Sequence, residues 1–324
     1  MSPKMHLLVP VLISSSLLTI MSNNILMVWM MLELNSLTFI PLIQTNKSTS
    51  EVEASINYLT PQTFASGVLM ASIMLAPLIQ DYSKMLASTA LLMKLGAAPL
   101  HAWFPSVMQS IGLAQGFILM TWQKLAPLML LSVNQLSHTH AITMSATISA
   151  IWGSIAGLNQ TNLLMLMTFS SITHLSWPLM ALLMNPQISL LYLICYTLTI
   201  LPIFMYLSSP ISLTHHMITT LTTNKYSNIS VIIHLLSLGG LPPLAMFSAK
   251  LPIITIMSTS MAPILAILLV GTGISLYFYL IIIITISLNT FKTPKTDITL
   301  STTWQMCFIL LQLFIFSLTL WFIF

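Results

Sequence analysis

The sequence predicts an all-α, polytopic membrane helix bundle of about eleven transmembrane helices. Hydrophobic residues make up 56% of the 324 positions and charged residues only 4%, too few for the charged surface of a soluble domain. Apolar segments of nearly membrane-spanning length follow one another along the chain. Two of these segments carry helix-breaking residues in their middles. Nine lysines without an arginine form no basic patch, so nucleic acid is excluded as a partner.

Polar breaks and breaks rich in Pro, Asn or Ser divide the chain into the predicted spans. They lie near residues 5–21, 24–44, 57–79, 84–105, 112–133, 140–157, 162–184, 187–207, 228–257, 262–288 and 302–323. The first is expected to be a span and not a cleaved signal, because a second apolar stretch follows without a small-residue cleavage site. Short connections indicate antiparallel neighbours, so residues 1–324 are expected to form a single transmembrane domain.

The lysines of the predicted loops indicate the orientation. Lys84 lies alone on one side, whereas five lysines share the side of the N-terminus. These five are Lys4, Lys47, Lys225, Lys292 and Lys295. Because a lysine excess marks the side of synthesis, the N-terminus is expected to face the cytoplasm or an organelle's matrix, and the C-terminus the opposite side. The frequent methionine and absent arginine fit a small organellar genome.

Predicted helices 4 and 9 carry similar breaks. Five residues of helix 4 recur in helix 9 at an interval of 143: Leu95, Gly96, Pro99, Ala102 and Phe104 match Leu238, Gly239, Pro242, Ala245 and Phe247. Because these helices are five spans apart, they cross the membrane in opposite directions. Broken helices at corresponding positions of inverted repeats indicate a transport site.

Four charged residues lie within the predicted spans: Glu33, Lys94, Lys124 and Lys250. A charge at the bilayer centre costs roughly 3 kcal/mol on insertion scales, so these residues indicate an ion or proton pathway. A salt bridge between Glu33 and Lys94 would reduce the cost of both, which is the purely structural interpretation. One glutamate cannot neutralise three lysines, and a desolvated lysine exchanges its proton readily. We therefore interpret the four as a proton relay.

Histidines in the apolar segments are weaker candidates. His101 lies seven residues after Lys94 and is a possible relay member, although Pro99 interrupts the helix between them. His174 and His234 are better explained as packing residues. The adjacent pair His215 and His216 has no accompanying Cys or carboxylate, so no metal site is predicted.

These residues lie in runs that resemble the subunit 2 family of mitochondrial NADH dehydrogenase, the antiporter-like membrane-arm subunits of respiratory complex I. The runs are ordered as in that family. They include residues 32–35, 39–41, 93–96, 121–127, 157–161, 170–174, 237–244 and 276–280, together with Pro99, His101 and Lys250. The resemblance covers nearly the whole chain.

The resemblance implies a subunit of proton-translocating NADH:ubiquinone reductase in the mitochondrial inner membrane. In that membrane, the orientation predicted from the loop lysines places the N-terminus on the matrix side and the C-terminus on the intermembrane-space side. The family's central charges correspond to Glu33, Lys94, Lys124 and Lys250. NADH, FMN, iron-sulfur clusters and ubiquinone are bound by other subunits, so no cofactor is expected in this chain. Expected partners are those subunits, especially neighbouring antiporter-like and small membrane subunits, and membrane lipids.

The chain departs from the family's pattern away from the central charges. Basic or acidic residues that are frequent there are replaced by Leu164, Met165, Ser106, Ile281 and Asn57. Two further hypotheses remain open beside the proton-translocating subunit. One is a free-standing cation/proton antiporter, and the other is a structural subunit in which Glu33 and Lys94 form a packing salt bridge.

Overall fold

The computed structural model describes residues 3–45, 48–207, 225–290, 307 and 309–317, and its regular elements are α-helices. The helices are α1 Pro3–Met21, α2 Ile25–Ile43, α3 Thr49–Leu75, α4 Gln80–Leu95, α5 Trp103–Ser110, α6 Leu113–Met120, α7 Trp122–Leu130, α8 Thr139–Leu158, α9 Leu163–Met184, α10 Pro186–Leu207, α11 Lys225–Gly239, α12 Ala245–Ser260 and α13 Ala262–Thr290. Residues 309–317, within the last predicted span, are helical as well. His215 and His216, at which no metal site is predicted, lie outside the described residues.

The helical architecture follows from the apolar composition, because a lipid-embedded backbone has to satisfy its hydrogen bonds internally. Among the described helices, α2, α8, α9, α10 and α13 are long and apolar enough to cross a membrane. Three predicted spans, the fourth, fifth and ninth, are each built from two shorter helices. The prediction of a polytopic helix bundle with breaks in spans 4 and 9 is confirmed.

The chain divides into two compact units. The first comprises Met1–Ser149 with Leu179–Pro186, and the second comprises Ala150–Pro178 with Gln187–Phe324. In the first unit, α3 packs against α2, α4 and α5, and α1 packs against α2 and α7. In the second, α11 and α12 pack against α13. The expectation of a single transmembrane domain stays a prediction.

The breaks in spans 4 and 9 have the same local geometry. Helix α4 is followed by Gly96 with φ +70°, and α11 is followed by Gly240 with φ +79°. Each glycine donates its N–H to the carbonyl three residues earlier, and the next residue donates to the carbonyl five residues earlier. This is a Schellman termination, whose left-handed position favours glycine. Each break also contains a cis X-Pro peptide bond, at Ala98–Pro99 and Pro242–Pro243.

The structure aligns these two breaks one residue differently from the sequence comparison. Gly96 corresponds to Gly240 in conformation and in hydrogen bonding, an interval of 144. Matching of residue identities pairs Gly96 with Gly239 instead. Two adjacent glycines occupy this part of the second break, and sequence identity cannot distinguish which one takes the left-handed conformation.

The break in span 5 was not predicted. Helix α6 ends at Met120 and α7 begins at Trp122, with Thr121 between them at φ −114° and ψ −74°. The Thr121 hydroxyl donates to the carbonyl of Phe117, 2.7 Å away. No glycine or proline marks this position, so the sequence offers no local signal for it.

Candidate functional site

The carboxylate and one lysine of the predicted relay meet in the first unit. Glu33 lies on α2, and Lys94 is the penultimate residue of α4, just before Gly96. Lys94 Nζ lies 4.0 Å from Glu33 Oε2, an ion-pair distance. The Lys94 side chain is 3% exposed and the Glu33 side chain 23% exposed. The two helices therefore place opposite charges together, as the salt-bridge interpretation requires.

Side chains from neighbouring helices satisfy the carbonyl groups at the end of α4. Gln62 Nε2 donates to the Lys94 carbonyl at 3.3 Å, and Trp103 Nε1 donates to the Met93 carbonyl at 3.0 Å. Without such partners, a helix end inside a membrane would leave buried acceptors unsatisfied. These bonds hold the break, and Lys94 with it, in one position.

Lys124 lies in the first turn of α7, three residues after the break at Thr121. It is 4% exposed, and its Nζ lies 5.1 Å from the centre of the Phe104 ring. An ammonium at this distance from an aromatic face is stabilised by a cation–π interaction. Phe104 belongs to α5, the second half of the broken span that carries Lys94. The two breaks of the first unit thus bring both lysines to one place.

A small cavity joins these two lysines. It has about 20 Å³ of room for the centre of a water molecule, and its lining includes both Lys94 and Lys124. That volume suffices for one water, which requires about 10–15 Å³ on this measure. The other polar lining residues are Asn35, Ser36, Tyr58, Gln62 and Gln123. A water here has several hydrogen-bonding partners within the cavity wall.

The carboxamides of this cavity are the functional candidates that sequence reasoning missed. Gln123 Nε2 donates to Asn35 Oδ1 at 3.0 Å, which ties α7 to α2. Asn35 follows Glu33 by two residues and Gln123 immediately precedes Lys124. Their proximity to predicted relay residues is the signal that could have found them. Gln62 on α3 has no such neighbour in the sequence, so only the structure identifies it.

His101 lies within the break between α4 and α5 and is half-buried. It is not among the residues that line the cavity of Lys94 and Lys124. A relay role for His101 stays a prediction.

Lys250 belongs to α12 in the second unit and is 5% exposed. Its Nζ lies 5.4 Å from the centre of the Trp177 ring, again within reach of a cation–π interaction. It also packs closely over Gly240, because a Cβ atom placed on that glycine would lie only 2.7 Å from Nζ. The left-handed glycine of the break thus provides the space for the ammonium group.

Three tyrosines surround His174, one turn before Trp177 on α9. His174 Nδ1 lies 2.8 Å from the Tyr192 hydroxyl, and Nε2 lies 3.4 Å from the Tyr279 hydroxyl. The Tyr196 ring is 5.3 Å from the His174 ring. All four side chains are at most 3% exposed. These contacts are consistent with the predicted packing role of His174.

His234 is the other histidine buried in a predicted span. His234 is fully buried, and its Nδ1 lies 2.6 Å from the carbonyl of Ser230, as expected for a packing residue on α11. Within the described ranges, no group of three or more His, Cys, Asp or Glu side chains is arranged to hold a metal ion.

Comparisons with known proteins identify related sequences over most of the chain. The family described as NADH:quinone oxidoreductase/Mrp antiporter, transmembrane, matches residues 22–276. NADH-ubiquinone oxidoreductase chain 2 of Anopheles gambiae is 40% identical over 280 residues, covering 83% of this chain and 82% of the relative. The corresponding chain of Lumbricus terrestris is 36% identical, covering 87% of each.

Two solved structures share the fold. A chain of respiratory complex I from Thermus thermophilus superposes with a TM-score of 0.82 at 22% identity, covering 98% of this chain and 77% of that one. A chain of the Mrp complex from Dietzia superposes with a TM-score of 0.69 at 14% identity, covering 90% and 61%. At these identities the likeness concerns the fold.

Proposed function

The chain belongs to the NADH:quinone oxidoreductase/Mrp antiporter transmembrane family, and we propose that it is a core membrane subunit of proton-translocating NADH:ubiquinone oxidoreductase. Relatives at 35–40% identity over most of their length carry the name of chain 2 of that enzyme. The proposed location is the mitochondrial inner membrane, with the N-terminus on the matrix side. NADH, FMN, iron-sulfur clusters and ubiquinone are assigned to other subunits of the complex.

The proposed activity is proton transfer along Glu33, Lys94, Lys124 and Lys250. The observation that carries it is the cavity shared by Lys94 and Lys124, which has room for one water and has several polar side chains in its wall. Two lysine side chains placed against one cavity serve no packing purpose, because burying a charged lysine is costly. Their arrangement suits transfer of a proton from one to the other.

The transfer step follows from this geometry. Lys94 releases a proton to a water in the cavity, and that water passes a proton to the amine of Lys124. Glu33, at ion-pair distance from Lys94, sets the charge state of Lys94. Lys250, buried against Trp177 in the second unit, is the proposed later member of the relay.

The two other hypotheses make different claims. A free-standing antiporter shares the fold, but the relatives at 35–40% identity are named as a chain of an oxidoreductase complex, which favours a subunit. A purely structural role accounts for the pair of Glu33 and Lys94. It does not account for Lys124 in the wall of the cavity that Lys94 also lines.

Replacement of Lys124 or Lys250 with methionine tests the relay. Methionine keeps the length and apolar stem of lysine but cannot carry a proton. Each variant is expected to lower the number of protons pumped per NADH oxidised in the assembled complex, since proton transfer requires the missing amine. Proton uptake into reconstituted vesicles, measured alongside NADH oxidation, gives this ratio.

The control is Asp81→Asn, which removes an exposed charge that does not line the relay cavity. It is expected to retain the wild-type ratio of protons to NADH. An unchanged ratio in assembled Lys124→Met and Lys250→Met complexes would contradict the relay. Survival of pumping in the double variant Glu33→Gln with Lys94→Met would favour the structural hypothesis.

A further inference from the structure

A second, larger cavity lies in the first unit, at the ends of three helices. It has about 510 Å³ of room on the same measure, roughly twenty-five times that of the relay cavity. Its walls come from the start of α2, the end of α3, the start of α4 and the turn after α7. The lining residues are Ile25, Ser72, Ile73, Ala76, Gln80, Ser83, Lys84, Ala87, Asn134, Gln135 and Leu136.

The polar wall of this cavity is rich in hydrogen-bond donors. Lys84 contributes an ammonium group, and three carboxamides contribute NH₂ groups: Gln80, Asn134 and Gln135. None of these four side chains forms a hydrogen bond or ion pair with another residue in the part of the chain that the structure describes. The Ser72 and Ser83 hydroxyls donate to the backbone carbonyls of Leu69 and Gln80. The four nitrogen donors are thus available to a ligand.

The charge of the cavity indicates the sign of that ligand. Among the residues that the structure describes, Lys84 is the only charged one in the lining, so the wall is cationic. Asp81, in the first turn of α4, is exposed and is not part of the lining. An anion with several acceptor oxygens would engage both the ammonium and the carboxamides, and a phosphate group has this chemistry.

The apolar lining residues and the position of the cavity in the fold favour a phosphate that carries acyl chains. Ile25, Ile73, Ala76, Ala87 and Leu136 give the cavity an apolar side. The helices that meet here begin or end at this level, which places the cavity where a bilayer's head groups meet its hydrocarbon. A ligand with an anionic head and an apolar body matches both walls.

We propose that this cavity binds the head group of an anionic phospholipid, with the phosphate on Lys84 and the carboxamides and the first acyl carbons against the apolar wall. One lysine beside a membrane surface contributes about fivefold to the affinity for anionic lipid. The carboxamides select for phosphate oxygens without adding charge. The site is separate from the relay cavity, with which it shares no lining residue.

A photo-crosslinking experiment on the assembled complex tests this site. The complex is reconstituted in nanodiscs with a trace of photoactivatable phosphatidylglycerol or, in a parallel sample, phosphatidylcholine carrying the same probe. Labelled peptides are identified by mass spectrometry. We expect phosphatidylglycerol to label residues 72–87 and 134–136 about fivefold more than phosphatidylcholine. Lys84→Gln should abolish this preference, and Lys84→Arg should retain it.

The matched control is Tyr82→Phe, which alters an exposed side chain of the same helix turn outside the cavity. It should label as the wild type does. Equal labelling by the two lipids, or an unchanged preference in assembled Lys84→Gln complexes, would overturn the proposal. Displacement of the label by millimolar inorganic phosphate would also overturn it, because the site would then bind free phosphate. Labelling does not depend on proton pumping.

Discussion

The break after α4 and the break after α11 use the same backbone geometry to hold a lysine by different chemistry. Both end in a Schellman termination with a left-handed glycine, Gly96 in one and Gly240 in the other. Lys94 precedes its break and faces the carboxylate of Glu33. Lys250 follows its break and lies against Gly240 and the face of Trp177.

The comparison shows that a membrane protein can bury an ammonium group with or without an acid beside it. A carboxylate stabilises the charge strongly and makes it sensitive to whatever protonates the acid. An aromatic face stabilises the charge weakly and does not itself titrate. The same broken-helix geometry therefore places a lysine in two different environments. The charge of Lys94 depends on the protonation of a neighbouring carboxylate, whereas Lys250 lies against an aromatic ring that does not titrate.

The largest expected effect comes from removing the acid beside Lys94. Glu33→Gln leaves the Lys94 ammonium buried without its carboxylate and is expected to cost on the order of 3 kcal/mol of stability. Thermal denaturation of the purified complex, followed through the membrane arm, measures this loss. The double variant with Lys94→Met should recover most of it, because no unpaired charge remains. An unchanged melting temperature in Glu33→Gln would contradict stabilisation of the Lys94 ammonium by the Glu33 carboxylate.

A smaller effect is expected from Gly240→Ala, which fills the space beside Lys250. The left-handed backbone costs about 1–2 kcal/mol for a residue with a Cβ atom. The new methyl group also displaces the Lys250 ammonium, which otherwise would lie 2.7 Å from it. Pumping per NADH should therefore fall beyond what the stability loss causes.

Gly96→Ala is the matched control for that substitution. It carries the same left-handed penalty, but its Cβ would meet Phe104 Cβ at 3.2 Å and Trp103 at 3.4 Å, not a lysine. Both variants should lose similar stability, whereas Gly240→Ala should lose more proton pumping in vesicle assays of the assembled complex. Equal pumping in the two variants would contradict a positioning role for Gly240.

The smallest effect is expected from Trp177→Phe. Phenylalanine keeps an aromatic face for Lys250, but the interaction is weaker than with tryptophan by roughly 0.5 kcal/mol. Trp177 Nε1 forms no hydrogen bond with another described residue, so the substitution breaks none there. Pumping should fall by less than about threefold, in agreement with that energy. A loss as large as that of Lys250→Met would mean that Trp177 does more than support the ammonium.

Several features were accessible before any coordinates. The spans and the breaks near Gly96 and Gly240 follow from apolar length and from residues that terminate helices. The buried charges stand out because ionisable residues are expensive within a membrane. The resemblance then named the family, and the relatives bear this out.

Other features required the structure. The break at Thr121 has no glycine or proline to signal it. Gly239 and Gly240 are the same residue type, so only the backbone dihedral angles show that Gly240 adopts the left-handed conformation. Gln62 contributes to the relay cavity across a separation of thirty-two residues from Lys94, too far for any local pattern to report.

The difference between what the sequence predicted and what only the structure showed has a physical cause. Hydropathy and helix termination depend on residues close together in the chain, so composition and local order were enough to establish a broken-helix membrane bundle with one acid and three lysines within its apolar spans. A shared cavity, a 4.0 Å ion pair and a lysine resting on a glycine depend on distances between helices. Side-chain packing sets those distances, and it exists only once the helices have assembled.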